Sequence, residues 1–498
     1  MDPPPPARRR RGAEDRISSL PDELLHLILL RLPSIAEAAR TSVLSRRWRP
    51  VWTHMPELVL PAPATTSPAN LDSIDAVLRS SYAPSLHALK IDVSNIGQCH
   101  IPSHRVASWL SFASERLAGK LDVDLPWPSD SHLPRLRLDH LGQFVREMEE
   151  ELALPLFERA TEIDIDLGMN FFLRPPPVGS FAALTCLTIT CAHMDGGELG
   201  RIVSSAQCPR LRKLWLSIIE LVAACDVTIC SGSLEYLYYS ASETIKLEVT
   251  APMLLEILVS DPKEAYIVAP KLEKVDWKGK CYDPGRHKFA VAPRHLRSLK
   301  IMYSTYFSTL ISSTGLRQRF DAANELMVSL ALLDGIEGYV NFLTDMDKLP
   351  ACETLIIHLF RNNHAFAPIM LHLLRRCRCI RKLKLHSDWR IPPETGPCST
   401  SGCPCLLPES YGMDGCTFDA LEEIEISLFT GSTEEEEFVK LLLSRCNMVT
   451  LKSVGLTVPF VPVTSEIMEV VEGIRAICCP NTKVQFNVRS REVPKPSF

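Results

Sequence analysis

The chain has 498 residues, which is too long for one compact core and suits two or three domains or one elongated repeat body. Its hydrophobic content of 46% and charged content of 23% are typical of a folded soluble protein. The net charge of -5 lacks the basic excess of nucleic-acid-binding proteins, so we expect no nucleic-acid partner. The 17 cysteines are scattered and no secretory signal is seen, which favours reduced thiols in an intracellular protein.

Residues 1–14 are rich in proline and arginine and are predicted to form a disordered tail. The apolar stretch that follows, Leu24 to Leu32, is far shorter than the roughly 20 residues of a membrane span, so we expect no membrane partner. The basic run Arg8 to Arg11 could direct nuclear import or simply belong to the tail. The sequence therefore leaves nucleus and cytoplasm both open.

Residues 15–60 have the pattern of a small helical unit. Leucine and isoleucine recur at helical spacing up to Pro33, which ends the first helix. Ser34 and Glu37 then form a capping-box arrangement at the start of a second helix. A third segment carries two tryptophans four residues apart, which places them on one helix face.

From about residue 83 to residue 457 a short pattern recurs: an apolar residue, two others, an apolar residue, one other and an apolar residue. Between Leu184 and Leu296 the copies start about 18–27 residues apart, close to the period of leucine-rich repeats. Over 302–350 the match is poor, and the number of repeats there stays open. The triplets are Leu86/Leu89/Ile91, Ala118/Leu121/Val123, Ala160/Ile163/Ile165, Leu184/Leu187/Ile189, Leu211/Leu214/Leu216, Leu234/Leu237/Tyr239, Leu254/Ile257/Val259, Leu272/Val275/Trp277, Leu296/Leu299/Ile301, Cys352/Leu355/Ile357, Ile380/Leu383/Leu385, Leu421/Ile424/Ile426 and Leu451/Val454/Leu456.

Alternation over the last three positions of each triplet predicts a short strand, and one such strand cannot bury its apolar face alone. Stacked neighbours would form a parallel sheet with a continuous core. We therefore predict an α/β fold: a small N-terminal helical unit followed by an irregular leucine-rich-repeat solenoid, with parallel strands and with helices and loops on the convex side. The alternative is a set of unrelated strands in an ordinary α/β fold.

The predicted domain boundaries follow shifts in composition. A Pro/Ala/Thr/Ser-rich stretch begins at residue 61, so 61–82 is predicted to be a linker and first solenoid segment. The repeat body is predicted at 83–410 and a set of C-terminal repeats at 411–490. Residues 388–417 show no periodicity and are predicted to form a long loop rich in cysteine and proline.

A dense set of motifs covers the N-terminal unit: Asp15 to Leu25, then Ala39 to Arg49 with its Leu-Ser-Arg-Arg-Trp segment, then Trp52. This combination resembles a plant F-box. The resemblance implies a helical module that binds a Skp-type adaptor, which joins it to a cullin and a RING protein. Some of the matching residues must instead form the core of the module. The adaptor-binding residues implied by the resemblance are Leu20, Pro21, Leu24, Ile28, Leu29, Leu32, Pro33, Val43, Leu44 and Trp48.

The C-terminal part carries a second set of motifs: Leu421 to Ile426, then Phe429 and Gly431, then an acidic run followed by Phe438 to Cys446. Together with the F-box and the repeats, this part resembles plant F-box/leucine-rich-repeat proteins with an FBD-type C-terminal domain.

The residues of this part also predict local structure directly. Residues 421–428 alternate as a strand, and Thr433 and Glu436 are predicted to form a capping box at a helix start. There the acidic run Glu434 to Glu437 is expected to be solvated at the positive end of the helix.

The residues between the buried positions of a repeat strand point to the opposite face of the sheet. In the clearest repeats that face carries aromatic and basic side chains, which suit an acidic or amphipathic target protein. The alternative is a set of scattered, solvated side chains. The predicted target-binding residues are Lys213, Trp215, Tyr236, Tyr238, Lys274, Asp276 and Lys300, with Lys278 and Ser298 on the same face.

Four cysteines of the predicted long loop, Cys398, Cys403, Cys405 and Cys416, could hold a zinc ion tetrahedrally. Their spacing departs from the usual C-x2-C knuckle, so free thiols are the favoured interpretation. We accordingly expect no metal and no cofactor.

No H-E-x-x-H, G-x-S-x-G, Walker or G-x-G-x-x-G motif is present, and no catalytic residue is predicted. The resemblance implies the substrate-receptor subunit of an SCF-type ubiquitin ligase. Such a subunit brings target lysines close to the conjugating enzyme that carries ubiquitin. One alternative is an adaptor-binding scaffold or inhibitor with no degradative role. Another is a chain whose repeats bind nothing.

Overall fold

The computed structural model describes residues 20–32, 34–60, 69–95, 101–127, 150–278, 282–305, 311–332, 335–362, 364–387, 398, 402–412, 416–458, 465–478 and 485–490. The predicted tail at 1–14, its run Arg8 to Arg11, and Pro33 lie outside the described residues. The chain divides into two compact units. The first unit is Met1–Leu211 with Trp215–Val222, and the second is Arg212–Leu214 with Ala223–Phe498.

Some of the helices begin at a side-chain N-cap, as at Ser34, Asp195 and Ser432. Ser34 accepts a hydrogen bond from the Glu37 N–H at 3.3 Å, as its capping-box pattern predicts. The helices are α1 (Asp22–Leu29), α2 (Ile35–Arg40), α3 (Trp48–Val51), α4 (Ala69–Ser80), α5 (Ser103–Arg116), α6 (Gly196–Ile202), α7 (Ile336–Asp345), α8 (Phe366–Leu374), α9 (Thr433–Ser444) and α10 (Ser465–Cys478). Short 3-10 turns lie at Thr41–Val43, Trp52–His54, Thr314–Gln318, Pro404–Leu406 and Pro408–Tyr411. Across the part of the chain that is described, no helix is both long and apolar enough to cross a membrane.

The apolar triplets form strands whose alternate residues face the core. The second and third residues of every triplet are buried, and so are the first residues except Ala118 and Cys352, which are half-buried. The strands are β1 (Glu57–Leu60), β2 (Leu86–Asp92), β3 (Leu117–Asp124), β4 (Glu150–Ala153), β5 (Glu162–Asp166), β6 (Phe171–Arg174), β7 (Cys186–Met194), β8 (Lys213–Cys230), β9 (Tyr236–Thr250), β10 (Glu256–Ser260), β11 (Glu264–Val268), β12 (Lys274–Lys278), β13 (His287–Val291), β14 (His295–Ser304), β15 (Ile311–Ser312), β16 (Ala322–Leu332), β17 (Ala351–Asn362), β18 (Lys382–Ser387), β19 (Glu423–Ser427), β20 (Ser453–Val458) and β21 (Gln485–Ser490).

In the first unit the strands run parallel in the order β1–β2–β3–β5–β7, and β4–β6–β7 forms a second ladder. The β2–β3 pairing contains an irregularity, because Leu86 pairs with Leu117 whereas Ala88 pairs with Lys120. β3 therefore carries one extra residue at this point, which is a β-bulge, and Gly119 lies within it.

In the second unit the strands run parallel in the order β9–β10–β12–β14–β16–β17–β18–β19–β20–β21. A second ladder runs β9–β11–β13, and β15 pairs antiparallel with β14. The central register stays constant along the main ladder, so Leu237, Ile257, Val275, Leu299 and Leu326 lie side by side in the core. The predicted α/β fold is confirmed: N-terminal helices are followed by mostly parallel strands of the leucine-rich-repeat type.

Two parts of this fold were not predicted. Residues 302–350 contain β16 and α7, a strand and a helix of one full repeat. Their triplet is Ala323/Leu326/Val328, which fits the sequence pattern once alanine is accepted at the first position. The ladder of β11 and β13 was missed because proline, at Pro262 and Pro284, stands where each apolar triplet would begin, and His287 occupies the second triplet position in β13.

The predicted cap of the C-terminal helix is wrong by one residue. The N-cap of α9 is Ser432, whose hydroxyl accepts a hydrogen bond from the Glu435 N–H at 3.3 Å. Glu435 is only 3% exposed, so this part of the acidic run is not solvated. Glu434 is also engaged, because its carboxylate accepts a hydrogen bond from the Ala367 N–H at 3.2 Å. The acidic run therefore closes a turn and contacts α8.

Candidate interaction surfaces

Helix α1 divides its apolar residues between two faces. Leu25 and Leu29 are buried, whereas Leu24, Leu27 and Ile28 are 44%, 59% and 41% exposed. The three exposed residues follow helical spacing and therefore share one outward face. Because α1 carries apolar residues on its exposed face as well as on its buried face, it has apolar surface available for a partner.

Further along the N-terminal module, Val43 and Leu44 are also exposed, at 84% and 65%. Arg47, three residues after Leu44, donates a hydrogen bond to the Asp22 carboxylate at 2.7 Å and another to the Leu20 carbonyl. These bonds fix the segment after Leu44 against the start of α1. Leu24, Leu27, Ile28, Val43 and Leu44 are called the exposed apolar set below.

The predicted adaptor-binding residues divide between this surface and the core. Leu29 and Trp48 are 1% and 4% exposed, so they hold the module together and offer little to a partner. Leu27 was missed, although its position three residues after Leu24 places it on the same helix face. Of the other predicted residues that the structure describes, Pro21, Leu24, Ile28, Val43 and Leu44 are exposed, and Leu20 and Leu32 are half-buried.

The outward face of the first-unit sheet carries a row of aspartates. Asp92, Asp124 and Asp166 lie side by side on β2, β3 and β5, and Asp122 pairs with Asp164 two residues earlier. Burial, together with the negative charges of Asp92 and Asp166, raises the pKa of Asp124 to about 6. Sequence analysis did not identify this row, because its aspartates lie on strands that are far apart in the sequence and become neighbours only through the register of the sheet.

The outward face of the second-unit sheet is built from rows in constant register. One row begins Tyr236, Glu256, Lys274, Ser298, Glu325. The next begins Tyr238, Leu258, Asp276, Lys300, Met327. The predicted target-binding residues of β9, β12 and β14 therefore lie on one face, and their binding of a target stays a prediction.

The lysines of this face are paired with acidic side chains. The Nζ atom of Lys274 lies 2.9 Å from the Glu256 carboxylate, and that of Lys300 lies 3.1 Å from the Asp276 carboxylate. Lys278 places its Nζ 5.6 Å from the ring centroid of Tyr238, a cation–π distance. The face is thus an array of balanced charges and tyrosines, which favours an amphipathic partner over a purely acidic one.

A cavity of about 530 Å³ opens on the same face of the second unit. Lys274, Asp276 and Lys300 line it together with Glu325 and Met327. Lys213 and Trp215 lie on β8, where both side chains are exposed, and neither lines this cavity. Three of the predicted target-binding residues therefore converge on one concave site.

Cysteine residues of the predicted loop also come together in the second unit. Cys398, Cys403 and Cys405 surround His364, and within the described ranges Cys416 is not part of the group. His364 was missed because it precedes the first of these cysteines by 34 residues, beyond the reach of any short motif.

Comparison with known families identifies the N-terminal module, because the F-box domain matches residues 17–60. Residues 17–60 are an F-box. The exposed apolar set therefore belongs to an F-box, and F-box domains generally bind Skp-type adaptors.

The relatives of this F-box protein extend the resemblance to the repeats. A putative F-box/FBD/LRR-repeat protein of Arabidopsis thaliana is 23% identical over 75% of this chain and 89% of its own length. A second such Arabidopsis protein is 25% identical over 90% of both chains, and a third is 24% identical over 84% of this chain and 85% of its own. The predicted resemblance to plant F-box/leucine-rich-repeat proteins with an FBD part is confirmed.

Proposed function

We propose that this F-box protein is the substrate-receptor subunit of an SCF-type ubiquitin ligase. The observation that supports this most directly is the exposed apolar set on the F-box helices. Large apolar side chains gathered on a small rigid module are costly in water and typical of a protein interface. A Skp-type adaptor is the partner that the F-box match indicates. The receptor contributes proximity between target and conjugating enzyme, for which it needs no nucleophile of its own.

For the target we propose the outward face of the second unit around the 530 Å³ cavity. Tyr236 and Tyr238 supply large, rigid contact area at the edge of an array of ion pairs. Such a mixture suits an amphipathic protein segment that covers the tyrosines with apolar side chains and matches the charges with polar ones.

Replacing Leu24, Ile28 and Leu44 together by serine is expected to weaken adaptor binding at least tenfold. A tenfold loss corresponds to about 1.4 kcal/mol of binding free energy, which the loss of three exposed apolar anchors together should exceed. Calorimetric titration of the purified chain with a Skp-type adaptor measures the change. Folding should be unaffected, because all three residues face solvent.

The matched control replaces three exposed valines outside the F-box, Val178, Val291 and Val449, by serine. This variant loses similar apolar surface and should bind the adaptor as the natural chain does. Failure of the natural chain to bind any Skp-type adaptor would contradict the proposal. Equal binding by the Leu24/Ile28/Leu44 variant would remove the exposed apolar set from it.

Replacing Tyr236 and Tyr238 together by alanine is expected to abolish ubiquitination of the target while leaving adaptor binding intact. The measurement compares ubiquitinated proteins in cells that carry the natural chain or the variant. Tyr266→Ala, on the second ladder, is the control because that tyrosine is exposed but lies off the proposed face. If the natural chain binds adaptor yet no protein gains ubiquitin, the adaptor-binding scaffold is the better interpretation.

A further inference from the structure

Four side chains with metal-binding chemistry converge in the second unit. The Nδ1 atom of His364 lies 3.4 Å from the Cys403 sulfur, 3.8 Å from the Cys405 sulfur and 3.9 Å from the Cys398 sulfur. The sulfurs of Cys403 and Cys405 are 3.1 Å apart, and all four atoms lie within 4.8 Å of one another. In a tetrahedral zinc site, bonds of about 2.3 Å to sulfur and about 2.0 Å to nitrogen separate neighbouring ligand atoms by about 3.5 Å. The observed separations fall around that value.

The group is held by packed elements. Cys403 and Cys405 are fully buried and His364 is 4% exposed. His364 lies between β17 and α8, and the Tyr339 ring of α7 packs against it with ring centroids 4.9 Å apart. At the other end of α8, Arg375 donates hydrogen bonds to the carbonyls of the 3-10 turn that follows the cysteines, including that of Ser410 at 3.1 Å. The cysteine segment is thus fixed against α8 at more than one point.

The chemistry of the set selects zinc among common metal ions. Three thiols and one imidazole, with no carboxylate in the group, form the Cys3His combination of structural zinc sites. A disulfide between Cys403 and Cys405 does not account for the geometry, because 3.1 Å far exceeds the about 2.05 Å of a sulfur–sulfur bond.

We propose that His364 Nδ1 and the sulfurs of Cys398, Cys403 and Cys405 bind one zinc ion in a closed, four-coordinate structural site. On binding, the three thiols release three protons to solvent, and three thiolates with a neutral imidazole surround the ion. The ion cross-links the segment that carries the cysteines to the connection between β17 and α8, across 34 residues of chain. The site needs no adaptor or target contact, so it stands independently of the ligase role.

The test is metal analysis of the full chain purified without chelators from cells supplied with zinc. One zinc per chain is expected, and cobalt taken up in its place should give the intense visible absorption of tetrahedral cobalt thiolate. Cys403→Ser with Cys405→Ser should abolish binding of both metals. Cys416→Ser is the matched control, because Cys416 is buried and lies in the same stretch of sequence but outside the group. Absence of zinc from the natural chain overturns the proposal, and so does equal metal loss in the Cys416 variant.

A second measurement avoids dependence on the folding of variants. Adding a strong chelator to the folded natural chain should make three further thiols reactive towards a thiol reagent and lower the unfolding temperature. Unchanged thiol reactivity after chelation overturns the proposal. A Cys403–Cys405 disulfide found by mass spectrometry of protein from a reducing compartment overturns it as well.

Discussion

Glu435→Ala is expected to destabilise the second unit by about 3 kcal/mol, because a buried carboxylate that accepts several hydrogen bonds is removed. The carboxylate accepts from the N–H of Thr430 at 2.9 Å, from its hydroxyl at 2.7 Å and from the N–H of Gly431 at 3.1 Å. Without it these groups lose their partner in the turn before α9, where Gly431 has a φ of +75°. Chemical denaturation monitored by circular dichroism measures the effect.

Two further variants separate hydrogen bonding from charge. Burial raises the pKa of Glu435 despite these hydrogen bonds, so the negative charge is itself costly there. Glu435→Gln keeps the shape and one acceptor oxygen and should therefore cost clearly less than Glu435→Ala. Glu437→Ala removes an exposed carboxylate two residues away and should change the free energy of unfolding by no more than about 0.5 kcal/mol. Equal losses in the glutamine and alanine variants would show that the charge, rather than the hydrogen bonding, stabilises the turn.

Gly119→Ala is expected to destabilise the first unit by about 3 kcal/mol, a large overpacking penalty. A Cβ atom at this position would lie 2.0 Å from the carbonyl oxygen of His87 and 2.9 Å from its carbonyl carbon. Both are backbone atoms of β2, so relief requires the bulge between β2 and β3 to open. The lowest unfolding transition in a thermal melt should shift down by several degrees.

Gly455→Ala is the matched control for this change. Gly455 also lies in a parallel strand, but a Cβ atom added there would have the Ile424 carbonyl oxygen as its nearest neighbour at 3.9 Å, an ordinary contact. We expect little change, or a slight gain from the lower entropy of the unfolded chain. A Gly119 variant as stable as the natural chain would mean that the two strands are not locked together at the bulge.

Sequence periodicity predicted the strands well because a buried sheet imposes alternation on every repeat. It did not predict the start of α9 correctly, because two neighbouring residues are both suitable N-caps. Ser432 and Thr433 are both good N-caps, and only the turn built by Thr430 and Gly431 decides that the first of them caps α9. A capping pattern in the sequence does not distinguish Ser432 from Thr433. The distinction comes from the Glu435 carboxylate, which lies in the helix but accepts hydrogen bonds from the turn before it.

The candidate sites were predicted only in part, for a different reason. In α1, Leu24 and Leu29 carry the same kind of side chain, and the sequence does not tell which of them is buried and which meets solvent. The cysteines were found by their proximity in sequence, which admitted Cys416 and omitted His364. Whether a residue belongs to such a group depends on its distance from the others in the folded chain. A short sequence motif finds only residues that are also close together in the sequence.

The constant register of the second-unit sheet has a consequence for how this chain can change. Leu355 and Leu383 are 28 residues apart and pair directly, and Leu383 and Ile424 are 41 residues apart and pair in the same way. The additional length lies in the connection that carries Cys398, Cys403 and Cys405, and the strands on either side are not displaced by it. The sheet therefore tolerates insertions between strands at a low cost in free energy. A long connection can add a metal-binding group of side chains while the rows of outward-facing residues keep their register.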